Sequence, residues 1–446
     1  MIQNKISRRL SAGLALVLCA SAMTLGSSVL ASAAPKTPGV TAKQITIGAT
    51  VPLTGIASPG YSDVAKAANA VFQYVNKKGG VNGRKIKFIL KDDCYGTPGF
   101  GCTGIPNTAT QTRALLSAGI FATVGSLGTP TQDSVRTLLN ANHVPQLFVN
   151  SGSLDWNNPT KYPGLFGWQT SYNVEAKIFA KYILATYPTA NVCYLGQGDD
   201  FGADGLAGLV AGGVTPSDTQ LYSVGALVVT NGASIAPYVA RFQSDKCTVV
   251  VLDTIPGATD ATLGAALKLG YTPHWIISSV GADPVTVDGP FSKYPIPDPE
   301  IGAVSFSYLP ASTATNAWNT WDRKVLLADK TDFPNFTATT PITGNMTYGI
   351  GWGVAFVEAL KATGRNVTRA GFLKTLTHTT FKQTPALTAL RYTPTNHQGL
   401  SGGYLVTVTS ASATKALTGQ VYTTDSGSGP VKPIKAVAPS IPAWLK

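Results

Sequence analysis

Gly399-Leu400-Ser401-Gly402-Gly403 has the Gly-x-Ser-x-Gly spacing that raises a nucleophilic serine on a strand-to-helix elbow. That chemistry needs a helix after the serine and a later acid and histidine to take its proton. Extended sequence follows Ser401 instead, and His143, His274, His378 and His397 all precede it. Gly196-Gln197-Gly198-Asp199-Asp200-Phe201 approaches the Gly-x-Gly-x-x-Gly of a dinucleotide site, but Phe201 stands where a third glycine must let the helix pack closely. The stretch Asp200 to Gly205 hints at a calcium loop, yet its twelfth position is Ala211 and not a bidentate glutamate. The histidines have no metal-ligand spacing, the cysteines form no Cys-x2-Cys pair, and no carboxylate pair stands out. Catalysis, metal and redox cofactors are therefore disfavoured, which sets aside a secreted hydrolase or oxidoreductase.

Non-covalent capture is better served. Gly125-Ser126-Leu127-Gly128-Thr129-Pro130 follows the apolar run Phe121–Val124, and Asn150-Ser151-Gly152-Ser153 follows Gln146–Val149. Small residues, hydroxyls and free backbone N–H groups opening a helix or turn suit an oxygen-rich or anionic group. Ordinary connecting loops are the alternative.

The elements around these loops alternate. Strands are expected at Ile45–Ala49, Lys85–Lys91, Phe121–Val124 and Gln146–Val149, with helices at Asp63–Lys78, Asn107–Ser117 and Thr131–Asn140 between them. A second series follows: helix Val174–Tyr187, strand Val192–Leu195, helix Asp204–Ala211, strand Gln220–Val224, helix Ile235–Gln243, strand Thr248–Leu252, helix Ala258–Leu269 and strand Trp275–Ser278. Two further helices, Gly349–Thr363 and Ala370–Leu376, precede extended sequence over Leu387–Val408. Such alternation, twice over, predicts an α/β fold of two Rossmann-like lobes with parallel central sheets. A ligand cleft lies between them, beyond the carboxyl ends of the strands.

The start of the chain reads as an export leader over residues 1–33. Lys5, Arg8 and Arg9 precede a mostly apolar run, and Ala31-Ser32-Ala33 offers a small-x-small cleavage pattern. A membrane anchor is the competing reading; the Ser and Gly content of the run argues for removal. Leu18 before Cys19 is too large for a lipoprotein box, and no strong hydrophobic pair follows Arg8-Arg9 to make a twin-arginine signal. Loss of the leader's three cations lowers the net charge from +12 to +9. No basic stripe interleaved with aromatics accompanies that excess, so nucleic acid is not an expected partner. In an oxidising compartment the remaining Cys94, Cys102, Cys193 and Cys247 read as two disulfides. Cys94 and Cys102 would close a small local loop. Cys193 and Cys247 each open an apolar run and lie side by side if those runs are neighbouring parallel strands. The Ser-, Gly- and Pro-rich residues 426–446 are expected to be a flexible tail.

The order of these features resembles the branched-chain amino-acid type of ABC-transporter substrate-binding proteins, with a type I periplasmic-binding fold like that of leucine-binding protein. The resemblance runs from about Gln44 to Val408 and is carried by Ile47-Gly48-Ala49 through Pro52-Leu53-Thr54-Gly55, by Gly79-Gly80-Val81-Asn82-Gly83, by Asp92-Asp93-Cys94, and by Gly198-Asp199-Asp200-Phe201-Gly202. It implies two lobes joined by three crossovers: 43–168 plus about 308–388, and 169–307 plus about 389–425. It also implies a monomer without cofactor or catalysis, exported to the periplasm, to the outer face of the cell membrane or to the medium, delivering a small organic solute to an ABC permease. An extracellular sensor of the same fold, acting with a separate membrane partner, is the other reading. The ligand positions the resemblance implies are Gly128 and Thr129, Ser151 and Ser153, Phe201, Asp253 and Ile255, Val280, and Tyr61 beside the matched Gly60. Where amino-acid binders of this type carry an acid for the α-ammonium, this chain has Ser278-Ser279-Val280-Gly281. Asp253 and Asp283 are the nearby substitutes, and a carboxylate, amide or aromatic-bearing solute fits as well as an amino acid.

Overall fold

Apolar strands joined through helices pair side by side in parallel, because a hairpin cannot return such a strand in the same direction. In the computed structural model this produces two sheets. The described residues are 37–96, 102–289, 291, 293, 295–296, 298–311, 314–424, 427–437 and 441–446; the expected leader, 1–33, lies outside them.

The first series is β1 (Gln44–Val51), α1 (Ser58–Lys77), β2 (Lys85–Asp92), α2 (Thr108–Ser117), β3 (Thr123–Val124), α3 (Thr129–Ala141), β4 (Gln146–Val149) and β5 (Leu165–Gly167). Its sheet has the order β2-β1-β3-β4-β5 and is parallel throughout. The second series is α4 (Tyr172–Thr186), β6 (Val192–Gln197), α5 (Asp200–Ala211), β7 (Asp218–Tyr222), α6 (Val224–Val229), α7 (Ala236–Ser244), β8 (Val249–Asp253), α8 (Pro256–Leu269), β9 (His274–Ile277), α9 (Pro284–Asp288) and β10 (Val304–Ser307). The chain then returns to the first sheet through α10 (Ala317–Ala328), α11 (Gly344–Thr363) and α12 (Arg369–His378). A small hairpin-like pair follows, β11 (Thr380–Phe381) and β12 (Leu390–Arg391). It ends on the second sheet with β13 (Gly402–Ser410), β14 (Ala413–Ala416), β15 (Val421–Thr423) and β16 (Lys432–Ile434). The chain thus crosses between the sheets three times, after β5, β10 and β12.

The second sheet has the expected parallel centre and adds antiparallel strands at one edge. It runs β16-β15-β13-β10-β9-β8-β6-β7, parallel from β7 to β10 and antiparallel from β10 onward. The short turns joining β13 to β16 leave no room for a crossover helix, so antiparallel pairing is the outcome.

Both faces of the first sheet are covered, which is why β1 is buried along most of its length and does not alternate. On one face α2 and α3 pack around Leu115, Val135 and Leu139. On the other, Phe72 of α1 meets Phe356 of α11 edge-on, and Phe356 meets Phe372 of α12. Helix starts follow their caps: Asn107, Ser171, Asp199, Asn316, Thr343 and Thr368 each accept a first-turn backbone N–H. Pro59 and Gly60 at the head of α1 are non-helical, so its continuous part begins at Tyr61.

Both disulfides form, Cys94–Cys102 and Cys193–Cys247. Cys193 sits within β6 opposite Val250, and Cys247 lies just ahead of β8, so the pair closes diagonally at the strands' amino ends. The C-terminal residues differ from the loose tail expected of them. β16 extends the sheet, Leu445 is fully buried, and its carbonyl accepts from Tyr74 Oη (3.1 Å) and Trp321 Nε1 (3.2 Å). Polar composition predicts looseness, but Ile441, Trp444 and Leu445 supply an apolar anchor.

Candidate functional site

The carboxyl ends of the parallel strands in both sheets border a cavity of about 140 Å³. The first sheet contributes Tyr95 after β2, Leu127, Gly128 and Thr129 between β3 and α3, and Asn150 after β4; α1 adds Tyr61. The second contributes Tyr172 at the head of α4, Phe201 in α5, Ser279 and Val280 after β9, and Tyr308 after β10. Gln169 in the first crossing and Asn345 and Tyr348 of α11 complete the wall.

Of the residues expected from sequence, Tyr61, Gly128, Thr129, Phe201 and Val280 line this cavity. Gly128 holds φ at 108°, and a Cβ there would come within 2.6 Å of Thr131 Oγ1 and 2.9 Å of the Tyr95 ring, so the turn into α3 requires glycine. The other four stand behind the wall. Ser151 backs Thr129, with 2.7 Å between their hydroxyl oxygens, and also accepts from Tyr172 Oη at 3.4 Å. Ser153 caps the short turn Leu154–Trp156. Asp253 accepts from Tyr194 Oη at 2.7 Å, and the Ile255 N–H donates to Tyr222 Oη at 3.1 Å. Asp253 is therefore committed to the fold beneath the cavity, whereas Asp283 reaches its wall. There it accepts from Asn345 N (3.1 Å) and Nδ2 (2.9 Å) and from Val285 N (3.2 Å).

Contacts bridge the two halves around the cavity. Tyr61 Oη donates to the Val280 carbonyl (3.2 Å), Gln197 Nε2 to Tyr95 Oη (3.3 Å), and Leu154 N–H to Asp204 Oδ2 (2.8 Å). Asn345 on Asp283 is a fourth. Three buried polar atoms of the lining residues have no partner: Gln169 Nε2, Asn150 Oδ1 and Ser305 Oγ. Burial pushes the phenols of Tyr61, Tyr95, Tyr308 and Tyr348 well up, so these rings are neutral donors at any physiological pH. Among the described lining residues there is no Lys, Arg or His, and Asp283 is the one acid.

Sequence reasoning passed over Tyr95, Gln169, Tyr172, Tyr308, Asn345 and Tyr348. It also missed Glu175, which sits in α4 directly behind Ser279. Tyr172 had a local signal, since it follows the cap Ser171 at the head of a helix. Tyr308 follows β10, a strand whose four residues Val-Ser-Phe-Ser are too short to show a period.

A family model described as periplasmic binding protein matches residues 44–414. No curated protein matches the chain. Solved structures do, over most of their length. A fatty acid ABC transporter substrate-binding protein from Thermomonospora curvata aligns with TM-score 0.70 and 16% identity, over 88% of this chain and 95% of that one. A branched-chain amino acid ABC transporter protein from Thermus thermophilus, with bound valine, gives 0.66 and 16% over 90% and 98%. A solute binding protein of an ABC transporter from Rhodopseudomonas palustris BisB5, in complex with 3,4-dihydroxy benzoic acid, gives 0.64 and 17% over 89% and 98%.

Proposed function

The chain belongs to the periplasmic binding protein family, and we propose that it captures a small organic solute outside the cytoplasm, by closure of two lobes, for an ABC importer. The family and these neighbours are solute-binding proteins and not enzymes. No helix among the described residues is long and apolar enough to cross a membrane. On this reading residues 1–33 are the export leader, and 43–168 with about 308–388 form one lobe and 169–307 with about 389–425 the other.

The observation that carries the reading is the cavity itself: bordered by strand ends of both sheets and bridged by Tyr61 on Val280 and Asn345 on Asp283. Hydrogen bonds that join the lobes only when the clamp is shut let bound solute and closure stabilise each other. Its volume is close to the roughly 150 Å³ of an apolar cavity that admits benzene. That suits a ring-sized or short branched solute, of the amino acid, amide, carboxylate or aromatic acid classes, better than a long acyl chain. Thr129, backed by Ser151, would hold the solute's oxygens through its hydroxyl and its own backbone N–H at the start of α3. Phe201 and Val280 would cover its apolar part.

A thermal-shift screen of these four solute classes tests the proposal. A ligand at a hundred times its Kd should add about 2.7 kcal/mol to stability. Thr129→Val and Ser151→Ala should each weaken its binding about fivefold, the worth of one neutral hydrogen bond. Absence of a shift with every class refutes solute capture.

A further inference from the structure

Glu175 is a buried acid beside the cavity with no cation near it. Its Oε1 accepts the Ser279 N–H at 2.7 Å and its Oε2 accepts the Ser279 hydroxyl at 2.8 Å. Ser279 in turn lines the cavity. The ionisable groups facing Glu175 from neighbouring elements are Asp253 at the end of β8 and Tyr308 beyond β10, neither of them positive. Lys177, two residues along α4, donates instead to the carbonyls of Gly427 and Gly429. A carboxylate buried without a counter-charge is costly, and burial accordingly lifts Glu175 to about 8. Asp283, the one acid among the described lining residues, has its oxygens engaged by Asn345 and Val285. An incoming cation would thus meet Asp283 in the wall and Glu175 behind Ser279, with no Lys, Arg or His among the described lining residues to compete for them. Its walls carry the rings of Tyr61, Tyr95, Tyr172, Phe201 and Tyr308, whose faces attract cations.

We propose that Glu175, working through Ser279, is the acidic partner of an amine on the solute, so that the cleft selects a solute with a protonated amino group over the same skeleton without one. The inference rests on the solute-capture reading and narrows it. Ser279 gives its hydroxyl hydrogen to Glu175 and turns its lone pairs toward the cavity, where an ammonium donates to them. The carboxylate behind it supplies the charge. In the free site Glu175 holds a proton at neutral pH; the incoming cation expels that proton to solvent. Affinity for an amine-bearing solute therefore rises as pH climbs, and levels off above the free-site value.

Isothermal titration tests this with two matched pairs: L-valine and isovalerate, L-phenylalanine and 3-phenylpropionate, each in two buffers of different ionisation heat at pH 7. The amine-bearing members should bind at least about tenfold more tightly and release protons, and their affinity should gain up to about tenfold per pH unit between about pH 6 and about pH 8. The deaminated members should show a flat profile and no release. Glu175→Gln should remove the proton release and the amine preference. The wild-type pH profile decides the matter even where that variant misfolds. Deaminated members binding as tightly as their partners, or a flat amine profile, overturn the inference and leave solute capture standing. If neither pair binds and no solute of the wider screen does, capture itself falls and this inference with it.

Discussion

Replacing Gly349 with alanine sets two known effects against each other. In a helix interior with open space around it, Gly→Ala stabilises by about 1 kcal/mol, because glycine has more backbone freedom to lose. At Gly349 the added Cβ meets α1. It falls 2.8 Å from the Val64 carbonyl carbon and 3.1 Å from Ala67 Cβ, with the Val64 oxygen nearer still. Those neighbours are backbone or the first atom of a side chain and cannot rotate away, so relief requires α1 and α11 to part. Overpacking of that kind costs about 1–3 kcal/mol. Set against that gain, the net expectation is a loss of up to about 2 kcal/mol, toward the upper end because the Val64 backbone cannot give way. Gly264 in α8 is the control: its Cβ would meet only the Phe291 ring, at 3.7 and 3.9 Å, an ordinary contact. Gly264→Ala should gain up to about 1 kcal/mol. Urea melts are the better assay, since for roughly 400 residues unfolding together 1 kcal/mol shifts Tm by only about 1 °C. The defect should reach the site as well, because α1 begins with Tyr61 and α11 presents Asn345 and Tyr348. Gly349→Ala as stable as wild type, with unchanged solute affinity, refutes the claim that this helix contact sets the cleft.

Tyr61→Phe removes the hydroxyl that donates to the Val280 carbonyl; solute release in stopped flow should speed up about fivefold, with little change in association. Replacing Cys193 and Cys247 together by alanine opens a cross-link spanning 54 residues, against eight for Cys94 and Cys102. Loop entropy gives about 4 kcal/mol for the first pair and about 2.5 kcal/mol for the second, so urea midpoints should rank the variants in that order. Asp322 is buried in α10 with neither oxygen partnered, and burial raises it well above the usual carboxylate range. The folded protein thus holds this proton more tightly than the unfolded chain. The stability it confers is full below about pH 4 and is lost as pH climbs through the raised value. Asp322→Asn should widen its stability margin over wild type from pH 5 to pH 9, and a constant margin would contradict that assignment.

The elements that sequence period exposes are those whose burial follows one strong rule. Gln146–Val149 was legible to the residue because a short apolar run with turn residues on each side has one outcome in a covered sheet. α5 begins at Asp200, four residues before the apolar pattern suggests, because the cap Asp199 starts it. β7 ends at Tyr222, and the next residues form the unexpected α6, capped by Ser223. α10 did carry a signal, since Trp318, Trp321 and Val325 recur at helical spacing behind the cap Asn316. β10 carried almost none, and with it went Tyr308.

The site divides in the same way, and for a physical reason. Gly128, Thr129 and Phe201 lie in loops or first turns directly after strands, where an α/β sheet puts ligands whatever the rest of the chain does. Tyr95, Glu175, Ser279, Tyr308 and Asn345 are separated by up to 250 positions and meet only because three crossings bring both sheets' strand ends together. Local reading at 278–281 finds serines where an acid would sit and turns to Asp253 and Asp283 as the nearest substitutes. Three-dimensional packing supplies an acid from α4, since the helix opening the second series runs beneath the loop after β9 and carries Glu175 to the Ser279 hydroxyl. A charge missing from its expected position along the chain is therefore not a charge missing from the site.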